Sequence, residues 1–308
     1  VVGLASVTLL YSMTGGLHAS LRTDFFQMLI FLAVLAVLMV LAFGGGHFTS
    51  EALLFKPFDF SEPGPILMLV AFLQIWSYPM HDPVMMDRGF LADRETTRKS
   101  FLHAAWISAL CITLFGSLGV LAGASAEADE AMNAVLTRLL GDLPILLFNA
   151  ALVVSAMSTL DSTLSSSGKL AAVDMGIMKP SLRNGRVTMA LFMLAGLLLV
   201  FFGNKDLFSA VAVSGTASMY LAPVIFFSLW GNRTDIPVWS YVTTFFIAIG
   251  GAALYFIESS GHTQLLGEIH KYTKLLYISI TVLGSGCLLF WVGSKLSSRS
   301  KDAVIETT

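Results

Sequence analysis

The stretch from Phe25 to Gly46, FFQMLIFLAVLAVLMVLAFGGG, contains no acidic or basic side chain. A helix needs about 20 apolar residues to cross the hydrocarbon core of a bilayer, so this run is long enough. Several other segments exceed about 18 residues with almost no charge, which is the signature of membrane-spanning helices. Only 12% of the residues are charged, against about 25% in a soluble domain, and the mean hydropathy is +0.78. No alternating pattern of the kind that builds a membrane β-barrel appears. The sequence therefore predicts an all-α polytopic membrane protein, one transmembrane domain over 1–308 with a short polar tail at 295–308.

In order, the expected apolar spans are the end of one at 1–14, then about 24–43, 65–86, 101–123, 143–166, 187–202, 207–230, 237–257 and 274–293. Segment 125–141 is acidic but carries a helical pattern (Met132, Val135, Leu136, Leu139, Leu140), which predicts a short surface helix. Alternating these spans places Arg22, Arg88, Arg94, Arg98, Lys99, Lys169, Lys179, Arg183, Arg186, Arg233, Lys295, Arg299 and Lys301 on one side. Lys56, Arg138, Lys205, Lys271 and Lys274 fall on the other. The positive-inside rule makes the first side cytoplasmic, so the expectation is a multi-pass cell-membrane protein with a cytoplasmic C-terminus. The chain opens at Val1 within an apolar run, with no start Met and no signal peptide, and is expected to lack an N-terminal part.

Segment 143–174, LPILLFNAALVVSAMSTLDSTLSSSGKLAAVD, joins an apolar half to a hydroxyl-rich half. Ser155, Ser158, Thr159, Ser162, Ser165 and Ser166 step by three and four, so a helix gathers them into one stripe bordered by Asp161. Polar groups facing lipid are costly, so the stripe belongs against other helices or a water-filled cavity. Small hydroxylated residues also let membrane helices pack closely. For the pattern as a whole, with its carboxylate, an ion or substrate site is the stronger expectation, and oxygen ligands suit a hard cation such as Na⁺.

Three further groups stand out. In LQIWSYPMHDPVMMDRGF, Pro79 and Pro83 lie four apart and break the helix, because each removes a backbone donor and clashes with the preceding turn. Broken membrane helices line cavities, and Gln74, Tyr78, His81 and Asp82 flank this break. Gln74 and Tyr78 are candidates for a substrate or gating role; the alternative is a proline kink near the headgroups. Thr23 and Asp24, with Gln27, open a hydrophobic run. Asp24 is read either as a helix N-terminal acid or as a carboxylate reaching the hydroxyl stripe. Ser209, Ser214, Gly215, Thr216, Ala217 and Ser218 form a small-residue face, a packing surface or a cavity wall.

No nucleophile elbow, HExxH or phosphate loop is present, so no catalytic residue is assigned and an enzyme is not expected. The net charge of −2 argues against a nucleic-acid partner. Cys111 and Cys287 sit in separate apolar spans and suggest neither a disulfide framework nor a metal site.

GGLHASLRTDFFQ at 15–27 and SAMSTLDSTLSSSGKLAAVDM at 155–175 resemble the fifth and eighth core helices of the sodium:solute symporter family. That group holds the sodium/proline, sodium/glucose and sodium/sialic acid symporters. DRGFLAD sits where the family has a QR or DR loop after its sixth helix. The resemblance implies a leucine-transporter-type fold of two inverted five-helix repeats, covered here from the end of core helix four through helix twelve. It implies that the hydroxyls of Ser158 and Thr159, with the carbonyl of Ser155, bind the main sodium. Asp24, Asp161 and Ser162, with Ser158 shared, match a second sodium site of some members, although Asp161 replaces a hydroxyl there. Tyr78 falls at a gate position of sugar-transporting members, but Pro79 replaces their aromatic and span 207–230 lacks their sugar-binding side chains, so a sugar is disfavoured.

The expected function is sodium-coupled symport of a small organic solute by alternating access, with Na⁺ as coupling ion and the bilayer and solute as partners. Two alternatives stay open. One is a transporter-like membrane sensor module, since this family lends its helices to sensory kinases. The other is proton coupling through Asp24 or Asp161.

Overall fold

The computed structural model describes residues 1–46, 59–127, 130–202, 207–261 and 263–305. Every regular element among them is helical. Among the described residues five helices are long and apolar enough to cross a membrane: Ala19–Gly44 (α2), Arg94–Ser125 (α5), Asp142–Lys169 (α7) with its extension to Asp174, Val238–Ser259 (α11), and α12 (Lys271–Ile305), whose spanning part is Lys271–Ser297. A bent pair, α9 (Leu207–Ser218) and α10 (Leu221–Trp230), makes a sixth if counted as one span. Val2–Gly16 (α1) and the segment Pro63–Ser77 are shorter apolar helices. Leu182–Phe202 (α8) covers the apolar segment expected at 187–202. Leu146, Ile112, Val40 and Phe246 point away from the packed interior, as side chains facing lipid do.

Among the described residues three apolar stretches are broken or bent, and each break has a cause. Gly16 adopts φ 55°, ψ −155°, a conformation open to glycine, and separates α1 from α2. The second break follows the two prolines. Pro63–Gln74 (α3) gives way to a tight turn at Ile75–Ser77 and a single helical turn at Tyr78–His81. Asp82 is then extended at φ −97°, ψ 100°, as a residue before proline prefers, and Pro83–Gly89 (α4) follows. The third is the 44° bend between α9 and α10. Pro223 offers no N–H to the Met219 carbonyl four residues back, which is where that bend lies.

The chain divides into two compact units. The first comprises Val1–Lys56 and Pro83–Leu199, the second Pro57–Asp82 and Val200–Thr308. In the first unit, α1 and α2 lie along α7. One core joins Leu35, Leu38 and Ala42 of α2 to Leu118 and Leu121 of α5 and Phe148 of α7. A second joins Ala5, Leu164, Met189 and Met193 across α1, α7 and α8. There α7 and α8 approach so closely that a Cβ on Gly168 would meet the Gly185 carbonyl oxygen at 3.3 Å.

The short surface helix expected in 125–141 forms as Met132–Leu140 (α6), with Val135 and Leu136 of its apolar face fully buried in the first core. An amphipathic helix with its apolar face covered stays polar on the outside, and this is what the composition registers. Gly141, at φ 92°, ends α6 and turns directly into α7. Arg138 grips Glu130 through Nη2 at 2.7 Å and Nε at 3.3 Å, and also donates to the Ser125 carbonyl at 2.9 Å. This holds the Glu130 carboxyl below the usual carboxylate range.

In the second unit, Val70 of α3, Ala212 and Met219 of the α9–α10 pair, Ala248 and Tyr255 of α11, and Leu275, Ile278 and Val282 of α12 form the core.

Helix α5 starts from a well-made cap. Asp93 accepts from the backbone N–H groups of Glu95 and Thr96, both at 3.0 Å, and from the Thr96 hydroxyl at 2.7 Å. These bonds, the Thr96 hydroxyl foremost, hold the Asp93 carboxyl below its ordinary value. A carboxyl depressed on folding stabilises above its unfolded pKa, about 3.9, and loses that contribution as pH falls through the folded value. The expected result is that wild type melts higher than Asp93→Ala from neutral pH down to about 4 and that the difference closes below that. Melting curves of the two proteins taken at steps of pH check it; a gap independent of pH would refute the assignment.

Candidate functional site

Helix α7 carries the polar groups. The structure places Ser158 half-buried and Ser162, Ser165 and Ser166 buried along one side, with Asp161 fully buried beside them. Thr159 is exposed, and its hydroxyl donates to the carbonyl of Ser155 at 3.2 Å. Adjacent residues on a helix point about 100° apart, so Ser158 and Thr159 do not share a face. The hydroxyl of Ser158 and the Ser155–Thr159 contact are thus on different sides of α7.

Opposite the stripe runs the start of α2. Asp24 lies beyond its first turn, so it does not act as an N-terminal acid. Its carboxylate accepts from Ser158 at Oδ1 and from Ser162 at Oδ2, the latter at 3.2 Å. Ser20 shares a hydrogen bond of 3.1 Å with Ser162. Arg88, from α4, pairs with Asp24 Oδ2 and donates from the same Nη2 to the Ser162 hydroxyl at 2.8 Å.

Asp161 faces a different set. The hydroxyl of Ser12 on α1 donates to Oδ1 at 3.1 Å, and that of Thr23 on α2 donates to Oδ2 at 3.3 Å. Next to it, Tyr11 donates to the Met157 carbonyl at 3.3 Å. Among the described residues Asp161 makes no ion pair, so Arg88 neutralises one of two neighbouring carboxylate centres. The cluster retains one formal negative charge, which suits a monovalent cation or a proton. Further along α7, the hydroxyls of Ser165 and Ser166 are buried without a hydrogen-bond partner among the described residues. Buried polar groups of this kind call for water or a ligand.

At the Lys169 end of α7, a cavity of about 350 Å³ is lined by Ser12, Gly16, Gly168, Lys169, Arg186 and Met189. Ser12 therefore touches both this cavity and Asp161. Lys169 is held at its edge by Asp87 at 2.6 Å and Asp174 at 3.0 Å.

The second unit holds the other predicted residues. Gln74 lies across Gly215, where a Cβ would fall 2.5 Å from its Oε1, and donates to Thr216 at 3.1 Å and Ser279 at 3.4 Å. Ser77 shares a 3.1 Å bond with Ser218. The small-residue face of α9 thus receives polar side chains from the α3 segment, and this glycine is small because Gln74 needs the space. Tyr78 is exposed and meets the His81 ring edge-on at 4.9 Å. His81 borders a cavity of about 390 Å³ with Ser214, Ser218 and Tyr220, and its Nδ1 is buried without a hydrogen-bond partner.

Arg88, Ser12 and Ser20 are the members of the α7 cluster that sequence reasoning did not single out. Arg88 reads locally as one more positive charge in a basic loop, and only its position after a proline break distinguishes it. No group of three or more His, Cys, Asp or Glu suited to a metal occurs among the described residues. No family model, curated protein or solved structure matches this chain.

Proposed function

We propose that this protein is a sodium-coupled symporter for a small organic solute, a carboxylate, amino acid or related metabolite, related to the sodium:solute symporter family and built on its leucine-transporter-type inverted repeats. The observation that carries the reading is the convergence of the Ser158, Ser162 and Ser20 hydroxyls around Asp24, beside Asp161 with the Ser12 and Thr23 hydroxyls, inside helices otherwise apolar. Oxygen ligands with a surplus negative charge suit a hard monovalent cation. Discontinuous helices, here at Asp82 and at the α9–α10 bend, are where transporters of this kind take up solute. Sodium bound at the α7 stripe stabilises the outward-open form. Solute follows, and rocking of one helical bundle against another exposes both to the cytoplasm, into which the ion leaves down its gradient. The protein then sits in the cell membrane with its C-terminus in the cytoplasm, the side favoured by the lysine and arginine distribution.

Uptake of radiolabelled carboxylates, amino acids and sugars by the full-length protein in vesicles, with and without sodium, tests the reading. Ser158→Ala, and Thr159→Ala on the strength of the family resemblance, are expected to raise the sodium concentration for half-maximal uptake several-fold. Unchanged sodium dependence in both variants counts against the site.

Proton coupling is the second reading, favoured by Asp161, a fully buried carboxylate that accepts from two hydroxyls and meets no cation among the described residues. A buried carboxylate with no cation beside it can have its charge offset by a bound proton instead. Uptake driven by an acidic exterior in sodium-free buffer, and lost in Asp161→Asn, distinguishes it.

A further inference from the structure

The oxygens of Asp24 that a mobile cation would use are already in use. Oδ2 pairs with Arg88 Nη2, and Ser162, its neighbour in the cluster, accepts from that same nitrogen at 2.8 Å. A guanidinium is always protonated, so this is a permanent positive charge. Its hold is not the two-pronged fork that makes arginine–carboxylate pairs strong: one nitrogen serves both contacts, and Nε is buried with no hydrogen-bond partner. The Arg88 side chain is also 37% exposed, against 17% for Asp24, so it has room to withdraw.

Arg88 is delivered by a small, pinned element. Helix α4 has seven residues and follows the extended Asp82. The residue before Arg88, Asp87, is buried and pairs with Lys169 at 2.6 Å. Two ion pairs of opposite sense, one residue apart, therefore fasten α4 to the α2–α7 face. The guanidinium is held near Asp24 even when it is not on it.

A buried carboxylate that loses its cation and finds no other is penalised by several kcal/mol. A carrier that releases its ion must discharge that carboxylate before it can return empty. We propose that Arg88 is a tethered counter-ion that competes with the transported cation for Asp24, taking the carboxylate when the ion leaves and yielding it when an ion binds. This rests on the reading of the α7 cluster as the cation site. Arg88 is then a residue that sets ion affinity, not one that binds solute. If it occupies Asp24 in about nine-tenths of ion-free molecules, apparent sodium affinity is weakened about tenfold relative to an unobstructed site.

The test is a sodium titration of the purified full-length protein at constant ionic strength, with choline replacing sodium and melting temperature as the readout. Arg88→Ala is expected to lower the half-saturating sodium concentration about tenfold, and Arg88→Lys to lower it by a smaller factor. Millimolar guanidinium is expected to raise it again in Arg88→Ala and to leave wild type unaffected, which a merely structural role for Arg88 would not produce. If Arg88→Ala does not fold, the Arg88→Lys titration decides. A half-saturating concentration unchanged or raised in the variant that folds, or no effect of guanidinium in Arg88→Ala, overturns the proposal. A wild type that responds to sodium beside an unchanged variant leaves the sodium reading standing while the competition fails. A wild type blind to sodium beside a responsive Arg88→Ala supports the competition and sinks sodium coupling of the wild type.

Discussion

Asp24→Ala in the full-length protein is expected to abolish sodium-dependent uptake and to lower the melting temperature. Asp24 touches Ser158, Ser162 and Arg88 together. Removing it strips the proposed ion site of its charge and leaves a guanidinium facing hydroxyls alone. Breaking a fully buried ion pair costs about 3–5 kcal/mol. Arg88 keeps partial access to solvent, so about 1–2 kcal/mol is the expected loss here. Asp24→Asn keeps the shape and an acceptor oxygen but not the charge, so it is expected to lose transport with a smaller drop in stability. Uptake assays paired with melting curves separate the two effects. Transport by Asp24→Ala with wild-type sodium dependence would place the coupling ion elsewhere.

The second large effect is expected in the other unit. Glu258 closes α11, is buried, and accepts from Lys274 Nζ at 2.7 Å, from the Leu265 N–H at 2.6 Å and from the Thr263 hydroxyl at 3.1 Å. These bonds tie the connection after α11 to the start of α12 and hold the chain at that end of the unit. Glu258→Ala leaves the Lys274 ammonium and a backbone donor unpaired, and is expected to lower the melting temperature by about 5 °C or more. Glu258→Gln retains an acceptor for Leu265 and Thr263 and is expected to fall between. Adding Lys274→Met to Glu258→Ala should restore part of the loss, because an apolar side chain needs no partner there. A melting temperature equal to wild type in Glu258→Ala would show that the pair contributes nothing to holding α11 and α12 together.

These two sites differ in how visible they are from sequence. The stripe on α7 is legible because its members lie within one helix, where spacing alone assigns the face: Ser158, Ser162, Ser165 and Ser166 do turn to one side. The same logic fails for Thr159, one residue further on, which spacing by threes and fours admits to the stripe but which the packing leaves exposed. The break at Asp82 is legible because proline acts on its own backbone and on the turn before it, whereas the bend after α9 falls within what reads as one apolar span over 207–230. In segment 125–141 the spacing marks the apolar face that carries Val135 and Leu136, while the partners that cover it, α2, α5 and α7, are set by the packing.

What the amino-acid sequence determined by itself is the helical, membrane-spanning character of the chain, the break at Pro79 and Pro83, and the presence of a polar face on one helix. All of these follow from backbone hydrogen bonding and side-chain spacing over a few turns. What only the tertiary structure decided is which charges and hydroxyls meet. Arg88 reaches an acid 64 residues away and Ser158 reaches the same acid across 134, while Asp161 takes its hydroxyls from α1 and α2. Nothing within a single helix specifies such partners. They are selected when apolar surfaces pack and leave each buried polar group to find whichever complementary atom the neighbouring helix presents.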